Sequence, residues 1–215
     1  MKKFLLALLA LMPLSPLCAV EYKKGDVQLS VSISTAYPFL GTWGGEYYVD
    51  NLTTGVRHDA KLGKWSVGSN LEAVYFLNSS IAVGLQTGHN EFADVIASGV
   101  EEEVGTNISN IMFLTRYYFN PAAKFKYYTA ASIGIAFLKA YADLAKREEF
   151  EDTGFGAKLG FGTEYYFGKK WGTGAELRYN HNTFKVDKNI SNGDRVRLYP
   201  RANYFSFSLR LFRKF

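Results

Sequence analysis

The chain has 215 residues, of which 47% are hydrophobic, 16% aromatic and 21% charged, with a formal net charge of +5. That apolar content excludes a disordered chain, and the length suits one domain. A single Cys and three His exclude a disulfide scaffold and a cysteine-built zinc site.

The first element is an address. Met1, Lys2 and Lys3 give a positive start, Phe4 to Met12 is an apolar run, and Pro13, Ser15 and Pro16 break it before Leu17, Cys18 and Ala19. This is the three-part pattern of a secretory signal peptide, and the small Ala19 predicts cleavage after it. Residues 1–19 are then the signal peptide and residues 20–215 the mature domain. Reading Cys18 as a lipidated first residue is disfavoured by the bulky Leu17 before it. Losing Lys2 and Lys3 lowers the charge by two, and an exported chain with no basic stripe on a helix is not expected to meet nucleic acid.

No later segment holds the ~20 apolar residues that a membrane-spanning helix needs. Stretches of period-two alternation recur instead, each apolar on one face. Val27, Leu29, Val31 and Ile33 alternate with Gln28, Ser30, Ser32 and Ser34. Trp65, Val67, Leu71, Ala73 and Tyr75 form the second apolar face, and Ile81, Val83 and Leu85 the third. In the fourth stretch, Ile111 to Phe119, both faces carry large residues; placing Arg116 inward puts Phe113, Tyr117 and Phe119 outward. The fifth runs from Phe125 to Phe137. The sixth sets Phe155, Ala157, Leu159, Phe161, Thr163, Tyr165 and Phe167 against Gly154, Gly156, Lys158, Gly160, Gly162 and Glu164. Trp171 to Tyr179 and Phe205 to Leu211 complete a set of eight.

Connections alternate in length. Asn78 and Ser79, residues 120–123 and residues 168–170 are tight turns, whereas residues 37–64, 90–106, 139–152 and 182–201 are long loops. The third long loop, with Ala, Leu and alternating charges, suggests a short helical turn. In outer-membrane barrels the short turns face the periplasm, so both termini are expected there. A soluble barrel would turn its apolar face inward and need large residues to fill its core. Here one face is mostly Gly, Ser, Asn and charges, and the other ends in Tyr, Trp and Phe near the strand termini. The expectation is an all-β fold, an eight-stranded antiparallel transmembrane β-barrel of outer-membrane type.

The inward charges form a constellation. Glu72, Arg116, Glu164, Glu176 and Arg210 lie four to six residues from the short-turn ends of their strands, with Arg178 and Lys158 higher and Lys126 lower. An eight-stranded lumen is about wide enough for side chains alone. Opposite charges there are expected to pair and plug it, because buried charges persist only when paired. A gated or narrow ion path is the alternative.

The stretch Gly160 to Phe167, then Trp171 and Glu176 to Tyr179, resembles the penultimate hairpin of the small outer-membrane β-barrel family, the OmpA-like and opacity-type "porin family" proteins. Phe215, with Phe207, Leu209 and Leu211 alternating behind it, resembles the signal read by the barrel-assembly machinery. Arg213 departs from that alternation at an interface where a long basic chain can snorkel. The resemblance implies a Gram-negative outer-membrane location and that machinery as a partner in biogenesis; it specifies fold and export, not an activity. With no peptidoglycan-binding domain after Phe215, a tethering role is not expected.

Basic residues cluster in the fourth long loop. Lys185, Lys188, Arg195, Arg197 and Arg201 are candidates to grip lipopolysaccharide phosphates, each Lys or Arg near an anionic leaflet gaining ~1 kcal/mol. A catalytic reading rests on His181, followed two residues later by Thr183, which resembles the His and Ser of lipid A deacylating barrels. Thr is a poor substitute for that Ser, and no acid is obviously placed to orient His181. His58 and His89 are isolated and lack metal-ligand spacing. No cofactor or metal is expected. The role expected is structural or surface-interacting: envelope integrity, or adhesion to an extracellular protein ligand through long loops. A narrow or lateral path for small solutes and a lipid A modifying enzyme follow as alternatives.

Overall fold

Successive side chains of a strand point to opposite sides of the sheet, so a chain of alternating character can place one face on lipid and the other on an enclosed lumen. A computed structural model describes residues 20–38, 42–49, 52–61, 65–96, 103–143, 147–189, 195–198 and 201–215. The expected signal peptide, residues 1–19, lies outside the described residues. The strands are β1 (Val27–Pro38), β2 (Thr42–Val49), β3 (Leu52–Lys61), β4 (Ser66–Phe76), β5 (Ile81–Ile96), β6 (Glu103–Tyr118), β7 (Phe125–Asp143), β8 (Arg147–Tyr166), β9 (Trp171–Thr183), β10 (Val186–Asn189), β11 (Arg195–Leu198) and β12 (Arg201–Lys214).

Eight of these close an antiparallel barrel in the order β1, β12, β9, β8, β7, β6, β5, β4. β1 completes the circle by pairing with β12 from Gln28↔Lys214 to Pro38↔Tyr204 and with β4 from Val27↔Tyr75 to Ala36↔Ser66. All eight expected strands are barrel strands, and their faces fall as alternation requires. Val67 and Leu159 are 73% and 64% exposed on the outer wall, while Arg116 is fully buried in the lumen between outward Phe113 and Tyr117. Along β8 the outward apolar stripe from Tyr165 to Phe155 spans about 25 Å once strand tilt is allowed for, the height of a bilayer's hydrocarbon band. Rings mark both borders: Tyr37 meets Trp65 at 5.9 Å at the long-loop end, and Phe125 meets Tyr165 at 4.9 Å at the short-turn end.

The long connections differ from expectation. β2 and β3 form a hairpin inside the first, and β10 and β11 one inside the fourth. Among the described residues of 139–152 there is no helical turn: β7 and β8 stay paired from Leu138↔Asp152 to Asp143↔Arg147. Lys139 bridges Glu149 and Glu151 across this ladder. A stretch this short cannot repay helix nucleation, whereas an existing ladder extends residue by residue with cross-strand charge pairs.

Candidate functional site

The wall facing the lumen is built from small polar residues and glycines, which leaves the axis to the long side chains. Gly162 is the clearest case: a Cβ there would collide with the Tyr128 ring on β7, so glycine is what seats that tyrosine. Gly172 does the same for Phe212.

Six charges from five strands of the barrel meet in one layer: Glu72 on β4, Arg116 on β6, Glu164 on β8, Glu176 and Arg178 on β9, and Arg210 on β12. Glu72 accepts from Arg116 and Arg178, from Arg210 at 3.2 Å and from Ser30 Oγ at 3.0 Å. Arg178 holds Glu176 through Nε and, at 2.8 Å, through its terminal nitrogen. Arg210 donates to Glu164 at 2.5 Å. Arg116 and Arg210 also stand 3.9 and 3.8 Å from Glu176. Three carboxylates face three guanidinium groups, so the layer is neutral, and no member's side chain is more than 5% exposed.

Tyrosines, which the sequence reading left out of the network, complete it. Tyr128 donates to Glu176 at 2.7 Å, Tyr118 to Glu164 at 3.0 Å, and Tyr22 also donates to Glu164. Arg116 and Arg210 lie over the Tyr128 ring at 5.0 and 5.2 Å, within cation–π range. The inward phase of Tyr118 and Tyr128 was available from alternation with Arg116 and Lys126. Tyr22 precedes the first strand and carries no periodic signal, yet it is 1% exposed and stacks on Phe76 at 3.9 Å. It heads an apolar layer at the short-turn end with Phe76, Tyr118, Tyr166 and Phe212. A second apolar cluster, including Phe92, Ile108, Leu138, Phe184 and Tyr204, sits toward the long loops.

The eight charges expected to form the network do not all join it. Arg178, expected above the layer, lies in it because its side chain reaches back two residues to Glu176. Lys126 donates to the carbonyls of Pro121 and, at 3.1 Å, Ala123, capping the turn between β6 and β7. Lys158 donates to Asn110 Oδ1 at 2.9 Å.

The remaining candidates lie elsewhere. Lys185 and Arg201 are exposed, and the Lys185 backbone N–H donates to Asp152 at 2.5 Å. The side chains of Lys188, Arg195 and Arg197 lie outside the described residues. Phe207, Leu209, Leu211 and Phe215 face outward, and Arg213 lies over the rings of Trp171 and Phe215 at 5.5 and 4.7 Å. His181 Nδ1 is 2.6 Å from Asn203 Oδ1, a neutral partner that also accepts from Tyr179. His89, read as isolated, has Ser109 Oγ at 2.9 Å across the β5–β6 ladder. Among the described residues no group of three or more His, Cys, Asp or Glu is placed to hold a metal ion.

Comparison with known proteins agrees with this architecture. The profile of the outer membrane protein beta-barrel domain matches residues 4–210. Among solved structures, the outer membrane protein OprG from Pseudomonas aeruginosa superposes with a TM-score of 0.62 at 13% identity, over 91% of this chain and 98% of that one. The E. coli Outer Membrane Protein W gives 0.55 at 15% identity, over 90% and 100%. A major outer membrane protein from Thermus thermophilus gives 0.54 at 10% identity, over 88% and 99%. No curated protein matches the chain.

Proposed function

Since the chain belongs to the outer membrane β-barrel family, we propose that it serves the outer membrane as a closed structural barrel whose long-loop end makes surface contacts. The observation that carries this reading is the double closure of the lumen. The aromatic layer around Tyr22 and the neutral six-charge layer block the axis at successive levels. A solute would have to break a charge-balanced ion network, which costs several kcal/mol per exposed partner. Planar-bilayer recording of the refolded protein should give no stable channel; steady unitary conductance would overturn the reading in favour of a narrow path.

In this proposal the short turns and both termini face the periplasm and the extended hairpins face outward. β2 runs beside β11 there, joining the two accessory hairpins into one surface suited to an extracellular protein ligand. Lys185, Lys188, Arg195, Arg197 and Arg201 follow the end of β9 and lead into β12, close to the headgroup level of an anionic leaflet. Replacing the first four by Gln should weaken lipopolysaccharide binding, and unchanged binding would remove that contact. The outward Phe207, Leu209, Leu211 and Phe215 fit a strand presented to the barrel-assembly machinery. Enzymatic action on lipid A is the weaker reading, since His181 is held by an amide and Thr183 would be its nucleophile. The lipid A mass spectrum of expressing membranes should be the same for the native protein and His181→Ala.

A further inference from the structure

Above the six-charge layer the lumen changes character. Lys158 is 3% exposed, its one hydrogen bond goes to a neutral amide, and among the described residues no carboxylate pairs with it. The layer beneath is balanced three against three, so Lys158 stands above it without an acid of its own. The acceptors around it are occupied. Ser132 donates to Gln86 Oε1 at 3.4 Å, Gln86 to Asn70 Oδ1 at 3.4 Å, and Asn70 to Ser32 Oγ at 3.3 Å.

Donors are among the groups left over. Asn110 Nδ2 and the hydroxyls of Ser34, Ser66 and Thr106 are buried without a hydrogen-bond partner among the described residues. Lys158 itself has three N–H donors and uses one. One of the amides lies against it: Asn110 is its hydrogen-bond partner, so Nδ2 of the same amide is adjacent.

We propose that Lys158, with the side-chain amide Nδ2 of Asn110, is a binding site for one small monovalent anion of the halide class. A lysine without an acid calls for a single negative unit, Lys158 Nζ and Asn110 Nδ2 are both donors, and the apolar clusters toward the two ends of the lumen restrict the ligand to a small ion. This goes beyond the structural role argued above, because it requires neither an open pore nor any loop contact.

Crystals of the mature barrel grown in sodium bromide should show an anomalous peak within hydrogen-bonding reach of Lys158 Nζ, and Lys158→Met should abolish it. Exchanging gluconate for chloride should raise the heat-unfolding midpoint of the detergent-refolded native protein and leave Lys158→Met unmoved. Lys158→Gln removes the charge while keeping an amide donor, and it should lose the chloride response in the same way. A bromide map without a peak at Lys158, or an equal chloride response in native and variant proteins, would overturn the assignment.

Discussion

Two halves of one lumen handle buried polarity differently. Toward the short turns, three carboxylates close on three guanidinium groups and three tyrosine hydroxyls. Toward the long loops, Asn and Ser line the wall and one lysine lacks an acid. In the first half every member is held by several others, so the layer behaves as one unit and losing any acid strands more than one cation. In the second half the bonds join neutral groups, Lys158 apart, so most side chains there can change without stranding a charge. Charge balance within a layer, more than the number of charges, separates a plug from a polar chamber.

The largest effect should come from Glu72→Gln, which leaves Arg116, Arg178 and Arg210 short of an acceptor and should cost about 3–5 kcal/mol in urea unfolding from lipid vesicles. A cost no greater than that of changes in the other half would erase the distinction. Tyr22→Ala removes a stacked, buried ring and a donor to Glu164; a loss of about 3 kcal/mol in the same assay is expected. Gly162→Ala drives a methyl group into the Tyr128 ring, so refolded protein should lose roughly 1–3 kcal/mol, with Tyr128→Phe giving no relief because the ring itself is struck. Thr106→Val, in the other half, replaces a hydroxyl without a partner by a methyl group and should shift stability by less than about 0.5 kcal/mol. Together the four changes draw a gradient along the axis.

Much of this was legible in the sequence because a strand writes its environment with a period of two residues. The eight strands, their lipid faces and the inward phase of Arg116 follow from alternation, and so does the level of Glu72, Glu164, Glu176 and Arg210. What alternation cannot see is reach. Arg178 bends two residues down its own strand to join the layer, and Lys126 turns to the carbonyls of a neighbouring turn. Tyr22 lies outside any strand and enters the barrel only because closure builds a stacking surface for it on Phe76. The continued pairing of β7 and β8 likewise brings Lys139 to Glu149 and Glu151 across the ladder, a property of two strands in register.

Strand length is unequal around the barrel. β7 and β8 have 19 and 20 residues, whereas β4, β1 and β9 have 11, 12 and 13. A tilted strand needs about 9–11 residues to cross the hydrocarbon region, so β7 and β8 carry roughly another 25 Å of paired sheet beyond the bilayer. With the orientation proposed here, the barrel wall itself rises on the β7–β8 flank, whereas beside β1, β4 and β9 the separate β2–β3 and β10–β11 hairpins reach outward. A large body approaching from outside would meet a continuous wall on one side and two hairpins on the other. The barrel therefore offers its visitors a direction as well as a surface.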